Sequence, residues 1–174
     1  MALSMINTAL IIPTGNEIKS GVVLDIDSPE VMRVLLQKFP KCRITRIPPV
    51  ADDQDQLIQA AEEWADSGVD LIVFIGGSGG GHRYSSTLSE DYTHSALESW
   101  LDNKCSYKIF GKNGHLWCNL ICGTKNRSLV INLPGPYKEA RAAIKAFVNT
   151  LEENPDLKAL NNAMKDAVVS QYPV

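Results

Sequence analysis

The sequence predicts a three-layer α/β/α sandwich with a mainly parallel sheet and one antiparallel strand. Three observations carry that expectation. Short apolar strands alternate with helical patterns three times along the chain, which is how parallel βαβ units read. The stretch "DLIVFI", Asp70 to Ile75, is apolar almost throughout, as a strand buried on both faces should be. Then the rhythm changes: "HLWCNLICG", a polar turn "TKNR" and "SLVINL" follow one another directly, like two neighbouring strands of a hairpin.

Taken in order, "NTALIIP" is a short strand. The next segment, "SPEVMRVLLQKFP", places Ser28 as N-cap and Pro29 at the first helical position. Val31, Val34, Leu35 and Phe39 follow at helical spacing, and Pro40 closes the helix. "CRITRI" alternates as a strand. In "DDQDQLIQAAEEWADSG" a capping box runs from Asp53 to Gln56, Leu57, Ala61 and Trp64 form the apolar stripe, and Gly68 stops the helix. After "DLIVFI" comes a helix in "DYTHSALESWLDN", then the hairpin. Helical patterns in "PYKEARAAIKAFVNTLEE" and "PDLKALNNAMKDAVVSQ" end the chain. No repeat or linker divides it, so residues 1–174 are expected to form a single domain.

Composition narrows the function classes. With 174 residues, 44% hydrophobic and 21% charged, the chain can bury a substantial core. A net charge of −3 with no Lys/Arg-dense stretch gives no footprint for nucleic acid. No apolar run has the length of a membrane span, and "MALSMINTALIIPTG" lacks the basic start and apolar length of a signal peptide, so a cytoplasmic protein is expected. Cys118 and Cys122, four apart on a strand, share a face with Leu116 and Leu120. They read as core, because zinc would want tighter CxxC pairs or histidines.

In an open α/β sheet, ligands sit outside the carboxyl ends of the strands. Three loops leave those ends: "PTGNEIKSGVVLDID" from Pro13 to Asp27, the Gly-rich run after Ile75, and "LPGPYK" from Leu133 to Lys138. The run "IGGSGGG" places five of the chain's 12 glycines in seven residues. Glycine at that density costs backbone entropy, so it marks either a floppy surface loop or a place where φ is positive or a ligand approaches the main chain. Known phosphate loops do not fit. A Walker loop needs Lys and Ser/Thr after its last glycine, where this chain has His82 and Arg83, and GxGxxG fails as well. "GGSGG" satisfies GxSxG around Ser78, with Asp91 and His94 or His115 available for a triad. A nucleophile elbow, however, turns straight into its helix, and here polar residues intervene.

Together, the three loops resemble those of the molybdopterin-binding domain of molybdenum-cofactor biosynthesis proteins and of the competence-damage-inducible protein. "TGNEIKSGVVLDIDS" is similar to the family's TG[DN]E start and its later D-x-[ND]-S; "IGGSGG" resembles its TGG-x-G loop, and "LPGPY" its LPG-x-P turn. "GKNGHLW", Gly111 to Trp117, resembles a Lys-containing loop of the molybdenum-insertion branch. The resemblance covers nearly the whole chain. Departures are Ile75 where Thr is common, Pro136 and Tyr137 in the third turn, and an insertion after the glycines that shifts the family's D-x-T onto Asp91 and Thr93.

The resemblance implies a small-molecule ligand, molybdopterin or a nucleotide, and a homo-oligomer, trimer or dimer, with neither membrane nor nucleic acid as partner. In the adenylyltransferase branch the terminal phosphate of molybdopterin is joined to AMP from ATP with Mg²⁺. The expected catalytic and metal-binding residues are Asp25 and Asp91. The expected ligand-binding residues are Thr14, Gly15, Glu17, Gly76, Gly77, Ser78, Gly79, Gly80, Thr93, Lys112, Pro134 and Gly135. Lys112 or Arg83 would offset developing negative charge. Each has a plainer reading: Asp25 and Asp91 as loop or cap residues, and the cations as solvated surface charges. A non-catalytic binding module and a nucleotide pyrophosphatase of the competence-protein type are the alternatives to the transferase.

Overall fold

Six strands form one sheet in a computed structural model that describes residues 5–79, 92–112 and 114–172. The strands are β1 (Thr8–Pro13), β2 (Arg43–Arg46), β3 (Leu71–Ile75), β4 (Asn103–Phe110), β5 (Leu116–Lys125) and β6 (Ser128–Leu133), in the order β2-β1-β3-β6-β5-β4. Pairings β1/β2, β1/β3 and β3/β6 are parallel, whereas β5 runs against both β6 and β4. The single antiparallel strand is therefore β5, inside the sheet rather than at its edge.

The alternation of side chains along each strand builds two cores from one sheet. Ala9 and Ile11 of β1, Leu71 and Val73 of β3, and Leu129 and Ile131 of β6 point to one face. There they meet α2 (Asp27–Lys38), α5 (Tyr137–Glu153) and α6 (Leu157–Val169). Leu10, Ile12, Ile72, Phe74 and Val130 point to the other face, against α3 (Gln54–Ser67) and α4 (Tyr92–Trp100). Every residue of β3 and β6 is buried, which accounts for the uninterrupted apolar character of β3 and the apolar centre of β6. Each fully buried Leu, Ile or Phe contributes about 1.5–3 kcal/mol relative to exposure.

Local chemistry starts and stops the helices. Asp53 accepts from the Gln56 N–H at 2.9 Å and Gly68 ends α3 in the left-handed region at φ 78°. Cys118, Leu120 and Cys122 lie in the same core, and burial pushes the Cys122 thiol upward, so it stays neutral. No cluster of three or more His, Cys, Asp or Glu side chains, and no helix long and apolar enough to cross a membrane, occurs among the described residues.

Three local expectations change. Ser28 does not cap α2. The helix already includes Asp27, Ser28 is fully buried, and its N–H donates to Asp25 Oδ1 at 2.9 Å. The helix expected from Asp91 to Asn103 ends at Trp100, and Asn103 opens β4, a strand whose mostly exposed residues give no apolar alternation. The first loop contains a single helical turn, α1 (Asn16–Lys19), that no periodicity announces.

Candidate functional site

Because β1, β3 and β6 are parallel neighbours, the loops that follow them leave the same edge of the sheet. Their backbones are joined at once: Thr14 N–H donates to Ile75 O at 2.9 Å and Gly76 N–H to Leu133 O at 3.0 Å. The glycines have a definite task here. Gly76 and Gly77 have φ of 97° and 63°, which L side chains rarely adopt. A Cβ on Gly76 would stand 3.0 Å from the Thr14 carbonyl oxygen, and one on Gly77 would overlap the Thr93 hydroxyl.

The loop is held from both sides. On the α4 side, the His94 N–H reaches Gly77 O at 3.4 Å and the His94 ring lies 3.2 Å from Gly79 O. Thr93 Oγ1 donates to Thr14 Oγ1 at 3.3 Å. On the β5 side, Asn119 N–H donates to Ser78 O at 2.6 Å, and Cys118 Sγ donates to Ser78 Oγ at 3.4 Å. Ser78 can enter there because β5 and β6 part beyond Cys122 and Ile131, the first pair of their ladder. Asn132 bridges the gap: its Oδ1 accepts from Ile121 N–H at 2.6 Å and its Nδ2 donates to Asn119 O at 2.8 Å.

The loops enclose an open cavity of about 1610 Å³. Of the residues expected from the sequence, Thr14, Gly15, Glu17, Asp25, Gly76, Gly77, Ser78, Gly79, Lys112, Pro134 and Gly135 line it. Thr93 does not; it is buried beneath Gly77 and supports the loop. Gly80, Arg83 and Asp91 lie outside the described residues, and with them any distance between Asp25 and Asp91. The start of α5 follows Pro136 at the same edge, so its N-terminal amides add partial positive charge.

Asp25 is engaged at both oxygens. Oδ1 accepts from Ser28 N–H, and Oδ2 pairs with the Arg46 guanidinium at 2.6 Å. Burial would raise its pKa, but the hydrogen bonds from Ser28 and Arg46 prevail and hold it below the usual value. Asp27 is the opposite case. Burial, and then the charge of Asp25, push it up to about 6, and its buried Oδ1 has no hydrogen-bond partner among the described residues.

Sequence reasoning gave no site role to Asp27, Trp117, Tyr137, Glu139 or Tyr172, which also line the cavity. Asp27 had a trace in the D-x-D-S string. Glu139 had a clearer one: it lies four residues before Ala143 and eight before Phe147, on the buried stripe of α5 where an acid is out of place. Tyr172 had none, since only the fold brings it back to the cavity.

A family model described as a probable molybdopterin binding domain matches residues 10–154. A comparison with curated proteins found no match. Among solved structures, the fold is similar to that of the molybdopterin biosynthesis enzyme MoaB from Thermus thermophilus, at 22% identity over 91% of this chain and 96% of that one, TM-score 0.66. It is similar to the molybdopterin biosynthesis Mog protein from Mycobacterium ulcerans, at 23% identity over 90% and 99%, TM-score 0.63. A third likeness is to CinA from Thermoplasma acidophilum, a protein described as of unknown function, at 18% identity over 85% and 97%, TM-score 0.60. At these identities the structural likenesses establish the fold.

Proposed function

Because the chain belongs to the family of probable molybdopterin binding domains, we propose that its cavity holds molybdopterin as a small-molecule ligand of cytoplasmic molybdenum-cofactor biosynthesis. The observation that carries this reading is the anchored Gly-rich loop, whose positive φ values at Gly76 and Gly77 bring main chain rather than side chain to the cavity wall. Such a concave run of amides beside the first turn of α5 suits a phosphate. Thr14, Gly15 and Glu17 form the adjoining wall, Pro134 and Gly135 the turn into α5, and Lys112 adds a cation to the lining.

The finer reading is adenylyl transfer. An oxygen of the molybdopterin phosphate attacks the α-phosphorus of ATP, and the bond to the bridging oxygen breaks to release pyrophosphate. Such a reaction is mostly positioning and charge stabilisation. Mg²⁺, when bound, would neutralise the phosphates, and it needs only one or two protein carboxylates beside substrate oxygens. The first loop offers Asp25 and Asp27, with Asp91 as the further candidate. Asp27 has the unpartnered oxygen, whereas Asp25 would have to release Arg46. That ion pair is the observation favouring the alternative, a module that holds molybdopterin or a nucleotide without catalysis.

Incubating the chain with molybdopterin, ATP and Mg²⁺ separates the readings. Pyrophosphate release with an AMP adduct identifies the transferase, retention without turnover the binding module, and hydrolysis of the nucleotide alone a pyrophosphatase. Failure to retain molybdopterin under any condition overturns the proposal. A homo-oligomer, trimer or dimer, belongs to the same reading and is checked by sedimentation.

A further inference from the structure

The first loop is tied to the sheet at its two ends. At one end Gly15 N–H donates to Val50 O at 3.0 Å and Asn16 N–H to Asp52 Oδ2 at 3.1 Å. At the other, Asp25 pairs with Arg46 and accepts from Ser28 N–H. Between them the bonds are local: Gly21 N–H donates to Ile18 O and Val23 N–H to Glu17 O, each at 3.1 Å, and Ser20 Oγ to Glu17 O at 3.2 Å. Among the described residues, no hydrogen bond or ion pair joins residues 17–24 to the rest of the chain. The same run carries Val22 and Leu24, 82% and 78% exposed, more than any other large apolar residue described, with Val23 and Ile26 exposed beside them. All four line the cavity. Apolar side chains gathered in water mark a surface that gains by being covered. The cavity itself, at about 1610 Å³, is wider than the roughly 300–1,000 Å³ of a small-molecule site, so it stands open.

We propose that residues 16–26 form a lid that folds over the cavity once molybdopterin is in place, turning on Gly15 and Gly21 and burying Val22 and Leu24 against the bound molecule. The inference rests on the reading of the cavity as a molybdopterin site and adds the step that closes it. Gly15 and Gly21 have φ of 126° and 78°, and a Cβ at Gly21 would meet nothing within 4 Å, so both can absorb a backbone rotation without steric cost. The local bonds, including the single turn of α1, keep the strap in shape as it swings, so closure is a hinge motion and not a folding step. Because the four apolar side chains line the cavity, what covers them is the content of the cavity. Inorganic phosphate is too small to span from the Gly-rich wall to the strap and binds without closing it.

Hydrogen exchange of the full chain, alone and with molybdopterin, tests the lid, after equilibrium dialysis has read the binding. Amides of residues 17–24 are expected to exchange freely in the chain alone and at least about tenfold more slowly in the complex. The double variant Val22→Ser, Leu24→Ser should melt with the parent, because both side chains are already in water, yet release molybdopterin roughly 10-fold faster. Its affinity for inorganic phosphate should be unchanged. In crystals of the complex Val22 and Leu24 should be buried. Molybdopterin bound with unchanged exchange across 17–24, or a complex that leaves Val22 and Leu24 exposed, overturns the lid and leaves the proposed function standing. An equal loss of phosphate and molybdopterin affinity in the double variant overturns it too, by making the strap a fixed wall. So do strap amides that are slow in the free chain within an oligomer that the double variant breaks apart, which would make the run an interface between copies. No retention of molybdopterin removes the proposed function, and the lid with it.

Discussion

A methyl group on Gly77 would overlap the Thr93 hydroxyl and come within 2.9 Å of its Cβ, at a φ of 63° that disfavours any side chain. Gly77→Ala should therefore lower stability as well as ligand binding, by about 1–3 kcal/mol, read as a drop in melting temperature. The sequence-level expectation for a bulky substitution at Gly77 is a loss of binding greater than the loss of folding; the buried Thr93 makes the two inseparable. At Asp27 the expectation is pH-dependent. Its folded pKa of about 6 lies above the ordinary 3.8, so the folded state holds the proton more tightly. The stability this contributes is full below pH 3.8 and is lost as pH rises to about 6. Asp27→Asn, which mimics the neutral acid, should melt roughly 2–4 °C above the parent at pH 7, after allowing for solvent screening, with the gap closing toward pH 4. A constant gap at both pH values would show that Asp27 is not the titrating group. The glycines were legible because their density has few physical explanations. Asp27 was less so, because spacing does not reveal which carboxylate oxygen finds a partner: Asp25, two residues away, is the one that accepts from Ser28 N–H in the first turn of α2 and pairs with Arg46.

Between β5 and β6, the single amide of Asn132 takes the place of two ladder bonds. Asn132→Leu keeps the volume but leaves Ile121 N–H and Asn119 O unpaired in a buried setting, at a cost of about 1–3 kcal/mol for each group. Because Asn119 N–H holds Ser78, amide exchange across Gly76–Gly79 should quicken in this variant more than exchange in β1. Unchanged exchange in the loop would mean that the wedge does not depend on Asn132. On the other side of β5, a Cβ at Gly123 would lie 2.5 Å from Asn103 O and 2.7 Å from Leu101 Cδ1. Gly123→Ala should thus force β4 away and lower the melting temperature by several degrees. The parallel strands were readable from their apolar runs and α3 from its capping box and glycine stop. β4 was not, because an edge strand with most of its side chains in water has no reason to alternate. Nor was the parting of β5 from β6, which admits Ser78 of the Gly-rich loop to Asn119, a residue far along the chain, and follows no local pattern.

At the scale of the whole molecule, the cavity borrows from both halves of the sandwich. Its floor comes from the ends of β1 and β3 and the turn after β6, its Gly-rich wall is held by α4 on one face, and α5 and Tyr172 close it from the other. The two cores share the same sheet, so the faces should unfold together. Phe74 and Phe147 are among the largest fully buried side chains, one in each core. Replacing either with Ala removes about 3–5 kcal/mol, which at this chain length lowers the melting temperature by roughly 2–4 °C per kcal/mol. Each variant should still melt in one transition, with loss of helix signal and of tryptophan signal coincident. Molybdopterin at about one hundred times its dissociation constant should then add about 2.7 kcal/mol to the parent and to both variants alike, because it engages loops anchored to the shared sheet. A second transition in Phe74→Ala that ligand does not move would show the α3 and α4 layer melting apart from the site. The Gly-rich loop, anchored to that layer through Thr93 and His94, would then have to be held by its bonds to β5 and β6.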